Sequence, residues 1–267
     1  SAIRAQVTFI QGGAPAAIEF AKFALTHLSG ADHVISATTA TILGAGYAYI
    51  ADFSSAVTAF EKGRDVSLAG GNQFNAMVAS SALAQIATVQ GRLRYAYQIY
   101  QDGLRVAGKS AFMAPGYTYA GLANLLCEWN ELDTALQYAS QSVELCKLIG
   151  QAEILMIAYT SLARVWCARK EFDAALDTLE EARRVASEIS AWSLDTILVL
   201  RARVWLANGN LESAIQWTQN SGYSIDEPAS FHREQGLLTL VRIRMAQGQH
   251  GQIVAILERL RQDAEGT

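Results

Sequence analysis

Residues 162–182 read LARVWCARKEFDAALDTLEEA, and residues 122–142 read LANLLCEWNELDTALQYASQS. The two stretches carry the same punctuation forty residues apart: a small residue, Ala163 or Ala123, then a polar turn, then a second small residue, Ala175 or Ala135, twelve positions after the first. The same pairing recurs along the chain as Ala5 and Ala17, Gly44 and Ala56, Ala84 and Ala96, Ala202 and Ala214, and, more weakly, Val241 and Ile253. Successive second members stand 39, 40, 39, 40, 39 and 39 residues apart. Seven copies at so constant a period predict a solenoid in which each copy is one helix pair, A then B, that buries its apolar face on its neighbours.

The small residues have a steric reason. Two helices joined by a short turn cross closely only where neither carries bulk, so each pair marks the A–B contact of one copy. Larger side chains surround it. Leu43, Leu83, Leu122, Leu162 and Leu240 each precede the small residue of helix A by one, and Tyr47, Leu126, Trp166 and Trp205 follow it by three, so they fall near one helical face. Further along helix B, Ala24, Gly63, Gly103, Ser142 and Ala182 form another small register, at which the next copy is expected to dock. The spacing predicts A helices near 2–11, 34–50, 73–90, 116–129, 152–169, 192–207 and 229–247, with B helices between them. Pro15, Pro115 and Pro228 all fall at or near predicted helix starts, where a missing N–H does no harm. The expected fold is all-α: one right-handed superhelix of about seven helix pairs over 1–267, with no strand.

Composition narrows function by exclusion. Of 267 residues, 51% are hydrophobic and 17% charged, against a usual ~25% charged, which predicts a globular, well-packed chain. No run approaches the ~20 apolar residues that span a bilayer, and the opening SAIRAQVTF has no apolar signal core, so a cytoplasmic protein without membrane contact is expected. A net charge of −4 argues against a nucleic-acid surface in these residues. Cys127, Cys146 and Cys167 have no CxxC partner or nearby His, so all three are expected to be buried thiols and no metal site is expected. His27, His33, His232 and His250 have no spaced carboxylate, Cys or Ser partner, which predicts surface residues and no catalytic constellation.

One motif invites an enzyme reading. GLRVAGKS, residues 103–110, matches the phosphate-loop pattern at Gly103, Gly108, Lys109 and Ser110. That pattern binds phosphate only where a buried strand enters the loop and the loop opens a helix. Here the preceding LRYAYQIYQD places Leu93, Ala96, Tyr97 and Tyr100 at helical spacing. Gly103 is therefore expected inside a B helix as a close-contact residue, with Gly108 as its C-cap, and the match is read as helix punctuation without nucleotide binding.

The small residue of helix A, the Ala twelve later and the further small residue of helix B resemble the tetratricopeptide repeat, with a copy of 39–40 residues in place of the family's 34. This longer form resembles the tetratricopeptide-like domain of MalT-type, or large ATP-binding LuxR-type, transcriptional regulators. The resemblance is carried by GNQFNAMVASSALAQIATVQGRLRYAYQIYQDGL (71–104), LARVWCARKEFDAALDTLEEAR (162–183) and AIQWTQNSGYSIDEPASFHREQGLLTLVRIRMAQGQ (214–249). It implies a fragment of a larger regulator that senses a small-molecule inducer or a regulatory protein in its concave groove and self-associates on activation. ATP and DNA would then be bound only by separate domains, so no cofactor is expected in this segment. A plain scaffold module holding a peptide or helix of a partner is the alternative.

One register supplies candidate ligand-binding residues. One position after the small residue of helix A the copies read Ala45, Gln85, Asn124, Arg164, Arg203 and Arg242. In tetratricopeptide repeats the matching position faces the concave groove, and three stacked arginines would suit carboxylate or phosphate recognition. A solvated helix face is the competing reading. Tyr117, Tyr159 and Thr160 are expected to line the same groove. Trp166 and Trp205, at the bulky A-helix position, are expected in the core, and Trp129 and Trp192 are left open.

Overall fold

The computed structural model describes residues 1–28, 32–107, 115–186, 191–224, 233–251 and 253–265. Among the described residues, seven A helices alternate with seven B helices. The A helices are α1 (Ala2–Ile10), α3 (His33–Tyr49), α5 (Gln73–Val89), α7 (Pro115–Glu128), α9 (Ala152–Ala168), α11 (Ala191–Ala207) and α13 (Glu234–Ala246). The B helices are α2 (Ala14–His27), α4 (Phe53–Ala69), α6 (Leu93–Ala107), α8 (Leu132–Ile149), α10 (Phe172–Ala186), α12 (Leu211–Asn220) and α14 (Ile253–Glu265). The described residues contain no strand. Pro15 and Pro115 stand in the first turns of α2 and α7, where the orphan N–H positions tolerate them. Pro228 and His232, and the predicted helical residues before 233, lie outside the described residues.

Each A helix ends on one left-handed residue, seven positions after its small residue: Gly12, Ala51, Gly91, Asn130, Lys170, Gly209 and Gly248, with φ between 59° and 85°. That single residue reverses the chain, and where the following position is Asp52 or Asn210 its side chain caps the B helix by accepting from the amides of Ser55 and Ser213 at 3.0 and 3.1 Å.

The small pairs are buried in every copy. Ala5, Ala17, Ala56, Ala84, Ala96, Ala123, Ala135, Ala163, Ala175, Ala202 and Ala214 are all 0% exposed. Gly44 shows why bulk is excluded, since a Cβ there would come within 2.8 Å of the Phe60 ring on the partner B helix. The further small register meets its expectation only in part: Ala182 shares a core cluster with Ile197, Leu200 and Val204 of the next A helix. Gly63 packs on Thr41 and Ala37 of α3, and the Ser142 hydroxyl donates to the Gly116 carbonyl of α7 at 2.6 Å, so both contact the A helix of their own copy. Gly103 does lie inside α6 and is buried, and among the described residues a Cβ there would meet nothing within 4 Å. Gly108, Lys109 and Ser110 lie outside the described residues.

Docking between copies also uses other positions. Two residues after the small residue of helix A stand Gly46, Ile86, Leu125, Val165, Val204 and Ile243, all buried. Gly46 packs against Ile18 of the preceding B helix, and Val165 joins Ala135 and Ala139 of α8. Each A helix also touches the next A helix, whereas no two successive B helices touch to a comparable extent. The layer whose members crowd together lies on the inside of a curved stack, so the A helices form the concave wall and the B helices the convex one.

Candidate functional site: the concave wall

Polar residues run along the seams between successive A helices. Asn75 on α5 donates to Thr38 Oγ1 on α3 at 3.1 Å, and Ser81 on α5 meets Thr118 on α7 at 3.2 Å. Gln85 Nε2 donates to the Tyr117 hydroxyl at 3.4 Å. The Ser161 hydroxyl on α9 lies 2.9 Å from the Ala120 carbonyl and 3.2 Å from Asn124 Oδ1 on α7. Arg203 Nη1 on α11 donates to Gln235 Oε1 on α13 at 3.4 Å. These pairs cross from one copy to the next, so they both knit the wall and leave further amide, hydroxyl and guanidinium valences facing its surface.

The candidate register falls on this wall. Gln85 and Arg242 are exposed, and Asn124 and Arg203 are half-buried. Arg164 is open to water yet stands among protein on several sides, so desolvation is the main cause that lowers the proton affinity of its guanidinium, opposed by Glu128 and Cys127. Desolvation also lowers that of Arg203, and the charges of Arg164 and Arg242 on either side act in the same direction. The three arginines are thus neighbours in one file, and each stays cationic because an arginine does not lose its proton in a protein. No carboxylate lies within ion-pair distance of any of them among the described residues, as for Arg4, Arg92, Arg94 and Arg244, whereas Arg64, Arg105, Arg169, Arg183, Arg184, Arg201 and Arg261 sit against acids.

Tyr117 joins the wall, where burial raises its phenol pKa and the hydrogen bond from Gln85 opposes the rise. Thr160 stands one turn before Arg164 on the same face, and its hydroxyl donates to the Ile157 carbonyl at 3.0 Å. Tyr159 does not line the groove. Five residues before Arg164 it is turned about 140° away, is 8% exposed within the core formed with α8 and α10, and carries Lys147 Nζ 5.7 Å from its ring centroid. It opens instead onto an outer cleft of about 440 Å³ with Asp177, Thr178, Glu180, Glu181 and Arg184.

The thiols divide. Cys146 is fully buried, but Cys127 and Cys167 are only half-buried, beside the arginine file. Burial, then Glu128, pushes the Cys127 thiol up to about 11, with Arg164 opposing. Trp166 and Trp205 pack against core clusters as expected, and Trp129 packs 5.4 Å from Tyr97. The side chain of Trp192 lies outside the described residues. His27, His33 and His250 are exposed. No group of metal-ligating side chains occurs among the described residues, and none of the described helices is long and apolar enough to cross a membrane. Ser161 and Gln235 were not singled out by sequence. Their signal is the recurrence of polar residues 32 or 37 positions after a wall residue.

A stack of helix pairs with one small-residue contact per pair and a concave wall of A helices defines the chain as a tetratricopeptide-like α-solenoid. It belongs to the family of the MalT-like TPR region, whose model matches residues 1–267. Among curated proteins none matches. Among solved structures, it is similar to a Rap protein complexed with competence and sporulation factor, at 10% identity and a TM-score of 0.72, over 97% of this chain and 72% of that one. It is also similar to the apo form of RapI, at 14% identity and a TM-score of 0.54, over 95% and 97% of the two chains. A signal transduction ATPase with numerous domains and a tetratricopeptide repeat sensor, from Pyrococcus horikoshii, matches at 15% identity and a TM-score of 0.52. It is covered over 97% of this chain but only 40% of its own. At these identities the likeness is one of fold.

Proposed function

We propose that the chain is the signal-sensing superhelical domain of a MalT- or LuxR-type transcription activator, and that its concave wall receives a small-molecule inducer or a regulatory protein. The observation that carries this reading is the file of wall residues, Gln85, Tyr117, Asn124, Thr160, Arg164, Arg203 and Arg242, laid across consecutive A helices. Three arginines on adjoining rungs, with no ion pair among the described residues, leave guanidinium donors available to a ligand. Family membership supports the reading, as does the fold shared with a protein named for its tetratricopeptide repeat sensor. In this reading the chain is not itself an enzyme, ATP and DNA are bound by domains outside these residues, and binding at the wall is passed on through the stacked helices.

The test is made on the full-length gene product. Asn124→Ala and Gln85→Ala should abolish inducer-dependent transcription from its promoter while basal DNA binding persists. A gene product with no DNA-binding domain would overturn the regulator reading and leave a scaffold that holds a partner's peptide or helix.

A further inference from the structure

The wall has two chemically different halves. From α5 to α9 it offers neutral groups: Gln85 with Tyr117, and Asn124 with Ser161. From α9 to α13 it offers Arg164, Arg203 and Arg242, with Gln235 as the only hydrogen-bond partner of the three among the described residues. Glu128 is the acid whose charge reaches Arg164 and Arg203, yet it forms an ion pair with neither. Three like charges held side by side, offset in part by Glu128 but by no ion pair among the described residues, destabilise the free wall, and a bound anion would relieve that cost.

The spacing specifies the anion. The axes of successive packed helices stand roughly 8–10 Å apart, so the backbone positions that carry the outer two arginines are separated by roughly twice that. One phosphate-sized ion would leave part of such a file without a partner. A polyproline-II chain has three residues per turn and a rise of about 3.1 Å, which places every third side chain on one face at intervals of about 9 Å. Resting on the reading of the concave wall as the binding surface, we infer that Arg164, Arg203 and Arg242 engage an extended, proline-rich acidic segment of a partner protein through carboxylates three residues apart. Each rung makes a charge-assisted, fork-shaped pair with one carboxylate, and the stiff chain loses little freedom on docking.

The experiment measures fluorescence anisotropy of a labelled (Glu-Pro-Pro)₃ peptide against the 267-residue chain at low ionic strength. Binding that weakens with added salt, is absent with (Gln-Pro-Pro)₃, and falls tenfold or more in Arg203→Gln and in Arg242→Gln is the expected result. Circular dichroism checks that each variant keeps its helix content, and the exposed Arg242 is the variant least coupled to folding. Equal affinity for an isomer with its three glutamates contiguous would overturn the spacing. Displacement of the peptide by an equimolar amount of inorganic phosphate would overturn the choice of a peptide, and arginine variants that bind like wild type would overturn the site. If the transcription response fails in Asn124→Ala but survives in all three arginine variants, the sensing wall stands and the acidic-segment inference falls.

Discussion

Cys127 shows how the repeat sets the chemistry of a single residue. Its place three positions before the turn puts the thiol against the A-helix seam, where burial disfavours the thiolate more than Arg164 favours it. The thiol therefore stays protonated near neutral pH and should react slowly with iodoacetamide beside a free cysteine control. The consequence for stability has a definite sign. The unfolded chain ionises this thiol near its ordinary value of 9.0 while the native state holds its proton up to about 11. Cys127 therefore contributes stability that is intact below pH 9 and is lost between pH 9 and 11. Urea unfolding at pH 8 and pH 11 should show a steeper loss for wild type than for Cys127→Ala. Equal slopes would show that the seam does not desolvate the thiol. Reading Cys127 as simply buried missed this, because equivalence of Cys127 and Cys167 in the repeat reveals a shared place but not that the place borders the groove.

At the scale of the helix, the parts read most easily from sequence were those with a steric cause. The twelve-residue small pairs require close crossing, so both their positions and their burial followed from the alignment, as did the alternation of A and B helices. The further small register of helix B was also visible, but which helix it faces was not. A small residue permits close approach without naming the partner, and Gly63 and Ser142 turn to their own A helix. Tyr159 failed for an angular reason: adjacency to Thr160 in sequence is a 100° rotation on a helix. The two kinds of small position predict opposite outcomes. Ala175→Phe should overpack the A–B contact of its copy and cost about 1–3 kcal/mol, because Ala175 is 0% exposed with α9 against it. Gly103→Ala should instead stabilise by about 0.5–1 kcal/mol, since the added methyl meets nothing within 4 Å among the described residues and a mid-helix glycine is entropically costly. Thermal or urea unfolding of both variants decides the pair, and a destabilised Gly103→Ala would restore the close-contact reading.

At the scale of the whole molecule, stability is a chain of neighbour terms, because each copy buries its face on the copies beside it. One register makes this measurable. Val7 and Val204 are the same residue type, each two positions after the small residue of an A helix, yet Val7 is 47% exposed and Val204 is 0% exposed. The difference is the neighbour. Val204 belongs to the cluster that includes Ala175, Leu179 and Ala182 of the preceding B helix, whereas α1 has no preceding helix within these residues. Truncating Val204 to Ala removes about two buried methylene equivalents at ~0.8 kcal/mol each and adds a cavity, so it should cost roughly 2 kcal/mol or more. Truncating Val7 to Ala should stay within about 0.5 kcal/mol, as exposed substitutions do. Urea unfolding of the two single variants measures the contrast. If both cost the same, stability is not built from neighbour contacts in this register, and the stacked-pair account of the molecule is wrong. If they differ as expected, a signal at the concave wall has a physical route along the stack, since the A helices that carry the wall residues are the ones whose next register locks each copy to the one before.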